Sequence, residues 1–191
     1  MSRNTKRMLR RAGIPILAAA LAIGGYLGGL QLTDNFHEVV PHRLYRSAQP
    51  SPADIDAYVE KYGIRTIINL RGEQPSEDWY RGEVTEARRL GIEHIDFKMS
   101  AHHVLSQEDS ERLIAIMMDA PKPILVHCKA GADRTGLASA LYLAAVAKAG
   151  EEPAEAQISL RYGHISLSVS PSYAMDETFE ELEPWLGFPW S

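Results

Sequence analysis

Apolar and polar residues follow two rhythms along this chain, one helical and one extended. Ile55, Tyr58, Val59 and Tyr62 recur at helical spacing. Ser51-Pro52-Ala53-Asp54 before them combines a serine cap, a proline in the first turn and an acid three residues on, and Gly63 closes the run. Tyr80, Val84, Ala87 and Leu90 make a second such face within 77–90, closed by Gly91. A third helix, capped at Ser106, carries Leu113, Ile114, Met117 and Met118 and stops at Pro121 and Pro123. Between these lie short apolar runs, Ile64–Leu70, Ile92–Phe97 and Ile124–His127, which read as buried strands. A helix from about Thr135 to Ala149 and two more near 153–162 and 172–183 complete the pattern. Strands alternating with helices across short connections predict an α/β fold, with a mainly parallel central sheet flanked by helices.

The amino end breaks this rhythm. From Ala12 to Leu32 there are 21 residues without a charge. As a helix they would rise about 30 Å, the thickness of a bilayer's hydrocarbon core. Arg3, Lys6, Arg7, Arg10 and Arg11 precede the stretch, and Asp34 and Glu38 follow it. The expected organisation is therefore a basic cytoplasmic tail at 1–11, a membrane-spanning signal-anchor at 12–32 and a folded domain at 33–191 outside the cytoplasm. That makes a single-pass protein of the inner (cytoplasmic) membrane facing the periplasm. If the segment is instead a signal peptide cut near Ala20 and Ala22, the product is periplasmic or secreted. Gly24/Gly28 and Gly25/Gly29 form Gly-x-x-x-Gly steps that would let two anchors pack as a dimer.

Composition narrows the function. Once the basic tail is set aside, residues 33–191 hold 15 basic against 25 acidic residues, a net of −10. A nucleic-acid partner, which favours a basic face, is not expected. Cys128 is the one cysteine, so neither an intrachain disulfide nor a four-cysteine zinc site can form.

The chemistry concentrates in His127-Cys128-Lys129-Ala130-Gly131-Ala132-Asp133-Arg134-Thr135-Gly136, where a predicted strand ends and a helix begins. The five residues between Cys128 and Arg134 can curl so that their N–H groups point inward as an anion nest, with the helix aiming its positive end at the same spot. Arg134 adds a planar fork matched to two phosphate oxygens. The same field favours Cys128 as a thiolate, in the roughly 3.5–7.5 pKa range of activated cysteines. A thiolate beneath a bound phosphate can attack phosphorus and form a phosphocysteine. Cys128 is then the nucleophile, and Lys129, Ala130, Gly131, Ala132, Asp133 and Arg134 form the substrate-binding loop. No metal or other cofactor is expected, because the nest and Arg134 supply the charge a metal would bring.

HCKAGADRTG resembles the His-Cys-x5-Arg-Ser/Thr signature of the cysteine-dependent protein tyrosine and dual-specificity phosphatases. LYRSAQP at 44–50, IINLRG at 67–72 and the strand before the cysteine are similar to the compact bacterial, exported branch of that group. The resemblance implies that Arg134 binds phosphate and stabilises the transition state, and that Thr135 donates to the thiolate and helps it leave. It also implies that His127 orients the loop. A general acid must protonate the leaving oxygen. Asp96, 32 residues before the cysteine, stands at a familiar interval, and Asp133, His102 and His103 are the alternatives.

Arg46, Gln49 and Arg71 are expected near strand ends, lining the pocket or securing the first helix. Arg161 is expected to pair with acids or to make a second phosphate contact. Trp185 and Trp190 would cover the core's edge or lie near the membrane. The substrate this points to is a phosphorylated protein, with phosphotyrosine first and phosphoserine or phosphothreonine next. Phosphoinositides, inositol phosphates or phospholipids form a second substrate class. A phosphate-recognising binding module with weak catalysis and a sulfur-transfer enzyme of rhodanese type are the rivals.

Overall fold

The structure, a computed structural model, describes residues 21–30 and 32–189. Two compact units divide the chain, Met1–Thr33 and Asp34–Ser191. In the first unit residues 21–30 are helical, and the Thr33 backbone N–H donates to Gly29 O at 3.1 Å. The expected membrane span requires correction here. Among the described residues no helix is long and apolar enough to cross a membrane. Residues 12–20 and 31 of the expected span lie outside the described residues, as does Trp190. The single-pass inner-membrane placement and the anchor-mediated dimer fall with that span.

The second unit is built on a five-stranded sheet. Its strands are β1 (His37–Val40), β2 (Leu44–Ser47), β3 (Thr66–Asn69), β4 (Glu93–Asp96) and β5 (Ile124–His127), in the order β1-β2-β5-β3-β4. Among the described residues only the β1–β2 pair is antiparallel; β2, β5, β3 and β4 run parallel. The three inner strands are buried along their whole length, as expected of a sheet covered on both faces. Alternate residues serve the two faces. Leu44, Ile68, Ile124 and Val126 join one large cluster with Leu113, Met117, Leu137, Leu141 and Phe179. Tyr45, Ile67 and Leu125 face the other way, packing with Ile64, Ile55 and Ala87.

Helix α1 (Pro52–Tyr62) has the expected capping box between Ser51 and Asp54, and Gly63 ends it in the left-handed region at φ 69°. In α2 (Asp78–Leu90) Tyr80 and Ala87 of the expected face are buried together with Glu83, while Val84 and Leu90 are half-buried. In α3 (Gln107–Asp119) Met118 turns outward, 56% exposed, while Leu113, Ile114 and Met117 are buried. The helix after β5, α4 (Asp133–Leu141), passes into one π-helical turn at Tyr142–Val146 instead of running unbroken to Ala149. The helix expected near 153–162 is a short α5 (Glu151–Glu155) and a separate 3₁₀ turn, Leu160–Tyr162, and α6 (Ala174–Leu186) closes the chain. Trp185 is 45% exposed on that last helix.

Candidate active site

Ser47 of β2, Asn69 of β3, Asp96 of β4 and His127 of β5 lie level across the parallel sheet. The loops that follow these strands therefore gather at one carboxyl edge, where α/β sheets hold their ligands. The central loop, Cys128 to Arg134, is held from outside by its carbonyl oxygens. Lys129 O accepts from the Gln49 backbone N–H at 3.3 Å and Ala130 O from Asn35 Nδ2 at 3.1 Å. Gly131 O accepts from Arg46 Nη2 at 2.9 Å. Ala132 O accepts from Gly136 N–H at 2.8 Å and from Arg46 Nη2 at 3.3 Å. In a trans peptide the next N–H points opposite to each carbonyl. The amides of Ala130, Gly131, Ala132 and Asp133 are thus turned away from the scaffold that grips the loop. Gly131 has φ +70°, and a Cβ there would lie 2.6 Å from Ala48 N and 2.7 Å from the Ser47 carbonyl carbon. No residue with a side chain fits without moving backbone.

Arg46, expected as pocket lining or a helix support, is the clamp on this loop. It is fully buried, donates through Nη1 to Gln157 O at 3.0 Å and to Gln157 Oε1 at 2.9 Å, and stacks 3.8 Å from the Tyr162 ring centre. Burial lowers its pKa to about 10, so it stays charged at neutral pH.

Cys128 is buried at the end of β5 and is a free thiol. Behind it His127 links two groups, its Nε2 lying 3.1 Å from Glu83 Oε1 and its Nδ1 3.4 Å from Cys128 O. Glu83 of α2 is buried and also meets His94 Nε2 at 2.7 Å and Gln49 Nε2 at 2.5 Å. Burial alone would raise this carboxyl, but His127 and His94 hold it down at about 2. Glu83 escaped the sequence reading. Its one available signal was an acid set between Tyr80 and Ala87 on an apolar face.

Arg134 is half-buried, and its Nη1 reaches Leu70 O at 3.3 Å and Met99 O at 3.5 Å, so the ends of the β3 and β4 loops border the site. Arg134 Nε and Thr135 Oγ1 are buried polar atoms without a hydrogen-bond partner in the structure. Such atoms cost about 1–3 kcal/mol each, which an anion at the loop or a close sulfur would offset. Lys129 is exposed at the rim.

The candidate acids differ in their surroundings. Asp96 has both oxygens occupied, Oδ1 by Asn69 Nδ2 at 2.7 Å and Oδ2 by the Tyr80 hydroxyl at 2.6 Å. Asp133 lies inside the loop and engages one oxygen, Oδ1, with His164 Nδ1 at 2.8 Å. The opposite ring nitrogen of His164 meets Asp176 Oδ2 of α6 at 2.7 Å. His102 and His103 are exposed, with His103 Nδ1 3.1 Å from Ser100 Oγ. The Arg161 guanidinium lies 5.4 Å above the Tyr162 ring. No group of three or more metal-ligating side chains occurs among the described residues.

Comparison with known proteins places this architecture. The model of the tyrosine phosphatase family matches residues 26–152. A protein of Oryza sativa subsp. japonica described as probable NAD kinase 2, chloroplastic, is 31% identical over 104 residues, which are 53% of this chain and 10% of the rice protein. The chain thus spans about a tenth of the length of that relative. Among solved structures, P. aeruginosa TpbA superposes with a TM-score of 0.61 at 19% identity, covering 81% of this chain and 92% of that one. PTPMT1 in complex with PI(5)P gives 0.61 at 20% identity, over 80% and 99% of the two chains. At these identities the likeness is one of fold. Because the family match takes in all five strands and the whole loop from Cys128 to Arg134, the chain belongs to the tyrosine phosphatase family and has the fold of a cysteine-based phosphatase.

Proposed function

We propose that this protein hydrolyses phosphate monoesters on protein side chains, phosphotyrosine first, through a phosphocysteine intermediate. The observation that carries the reading is the row of loop carbonyls tied to Gln49, Asn35 and Arg46, which leaves four successive amides turned toward one side. An anion bound there meets amide donors, the positive end of α4 and the Arg134 guanidinium. Cys128 Sγ attacks phosphorus as the ester P–O bond breaks, and the leaving oxygen takes a proton. Water then attacks the phosphocysteine, the S–P bond breaks, and Thr135 Oγ1 donates to the departing thiolate. Asp133, within the loop, and Asp96, at the end of β4, are the two candidates for the proton donor, with one oxygen of Asp133 and both of Asp96 engaged. A TpbA structure holding phosphotyrosine, with a TM-score of 0.59, 18% identity and coverage of 83% and 93%, supports a substrate of that size in this fold.

The test is a panel of phosphotyrosine peptide, phosphoserine peptide and phosphoinositide, with Cys128→Ser alongside. Turnover of the phosphotyrosine peptide should lead, and Cys128→Ser should lose about 10³-fold or more. The variant, Asp133→Asn or Asp96→Asn, that removes the proton donor should slow an alkyl phosphate by about 10²–10⁴ and an aryl phosphate with a good leaving group far less. That split in Asp133→Asn would place the acid in the loop, and in Asp96→Asn at the end of β4. Hydrolysis intact in Cys128→Ser would end the reading.

A further inference from the structure

The connection after β3 brings a second cation to the edge of the loop. The Arg71 guanidinium lies 3.5 Å from the centre of the Trp79 ring, and its Nη1 donates to Gln49 Oε1 at 2.9 Å. Gln49 in turn bonds the loop directly, its backbone N–H donating to Lys129 O at 3.3 Å. From the opposite side Arg134 Nη1 reaches Leu70 O, the carbonyl of the peptide that leads into Arg71. Arg71 is therefore tied to both ends of the loop, through Gln49 at Lys129 and through Leu70 at Arg134. Among the described residues neither Arg71 nor Arg134 has a carboxylate oxygen within 4.0 Å. Burial and the nearby Arg134 charge both push Arg71 below its ordinary pKa. Glu83, Cys128 and Glu77 oppose that shift without offsetting it, and an anion lying between the two guanidinium groups lowers the cost of holding like charges near each other.

One of the five N–H donors of Arg71 is spent on Gln49, and stacking on the indole fixes the plane of the rest. A planar fork so fixed suits an oxyanion presented edge-on. The loop already takes the scissile phosphate, so the anion at Arg71 is a different one.

We propose that Arg71, shelved on Trp79, is a second anion subsite that takes an oxyanion carried by the substrate beside its scissile phosphate. The proposal rests on the reading of Cys128–Arg134 as the phosphate loop. Two sources carry that chemistry: a second phosphate on a small ester, and an acidic side chain adjacent to phosphotyrosine in a peptide.

The full chain carrying Cys128→Ser is titrated with inorganic phosphate and with pyrophosphate. Pyrophosphate should bind at least tenfold tighter. Arg71→Met in that background, which keeps an unbranched stem over Trp79, should erase the preference, and Arg71→Lys should restore part of it. Equal affinity for the two anions with Arg71 intact overturns the subsite, as does a preference that survives Arg71→Met. The first comparison needs no change at Arg71, so a variant that misfolds leaves it decisive. Failure to bind either anion would strike the phosphate loop itself and take the subsite with it. With Cys128 present, a bisphosphate ester is compared with its monophosphate, and a Glu-flanked phosphotyrosine peptide with its Ala-flanked form. The pair showing a tenfold ratio in kcat/KM identifies the source, and no such ratio in either pair overturns the proposal.

Discussion

At Gly131 the chain meets two demands that only a missing side chain satisfies. The backbone sits at φ +70°, and the nearest atoms to any added Cβ belong to the β2 backbone, which cannot swing aside. Holding a residue with a side chain in the left-handed region costs about 1–3 kcal/mol before any clash is counted. Gly131→Ala should therefore lower the melting temperature by about 5 °C or more. Its phosphatase activity should fall further than the stability loss explains, because Ala132 and Asp133 would move with it. Thermal unfolding and kcat/KM on one substrate measure both, and an unchanged rate would mean that the loop tolerates displacement. Asn35 and Arg46 belong to the same scale. Each is a buried polar side chain spent on loop carbonyls, and neither could be recognised from residue type alone.

Among the elements, legibility followed the purity of the apolar pattern. β5 was readable because ILVH is a clean apolar run between two prolines and a cysteine. β2 was not, because LYRS carries Arg46, whose burial is compensated by partners more than 80 residues away in sequence. β1 was hidden by its edge position, where HEVV has little need to be apolar. The π-helical turn at Tyr142–Val146 leaves no trace in an alanine-rich run that suits any helix.

Two elements, α2 and α6, are docked through titratable groups, and their stability contributions have opposite signs in pH. Glu83 of α2 is held at about 2 against an ordinary 4.5. Its contribution is complete above about 4.5 and disappears as pH falls toward about 2. His164, between Asp133 and Asp176, behaves inversely. Burial pushes the ring down, but the two carboxylates outweigh it and raise its pKa above the ordinary 6.5. Its contribution is complete below 6.5 and is lost as pH rises through the raised folded value. Urea midpoints measured from acid to alkaline pH should fall at both ends. His164→Gln should flatten the alkaline fall, and Glu83→Gln the acid one. An alkaline limb unchanged in His164→Gln would show that the ring is not the group responsible.

Over the whole molecule, the residues that form the site run from Asn35 to Asp176, all within the unit Asp34–Ser191. A chain of 34–191 should unfold in a single urea transition and retain kcat/KM on an aryl phosphate within about threefold of the full chain. A second transition, or a loss of tenfold or more, would show that the site depends on residues before Asp34. Charge asymmetry was legible at this scale, but it misled. A basic cluster followed by an uncharged stretch satisfies the sequence pattern of an anchor, whereas among the described residues no helix is long and apolar enough to cross a membrane.

Among the described residues the carbonyls of Lys129, Ala130, Gly131 and Ala132 are gripped from the side away from the proposed phosphate site. A mould braced in this way keeps its shape whether or not the sulfur at its base can react. On the proposed function, the cost of shaping it is met during folding rather than when phosphate arrives. On the same reading, a lineage that lost the proposed nucleophile would inherit a phosphate receptor.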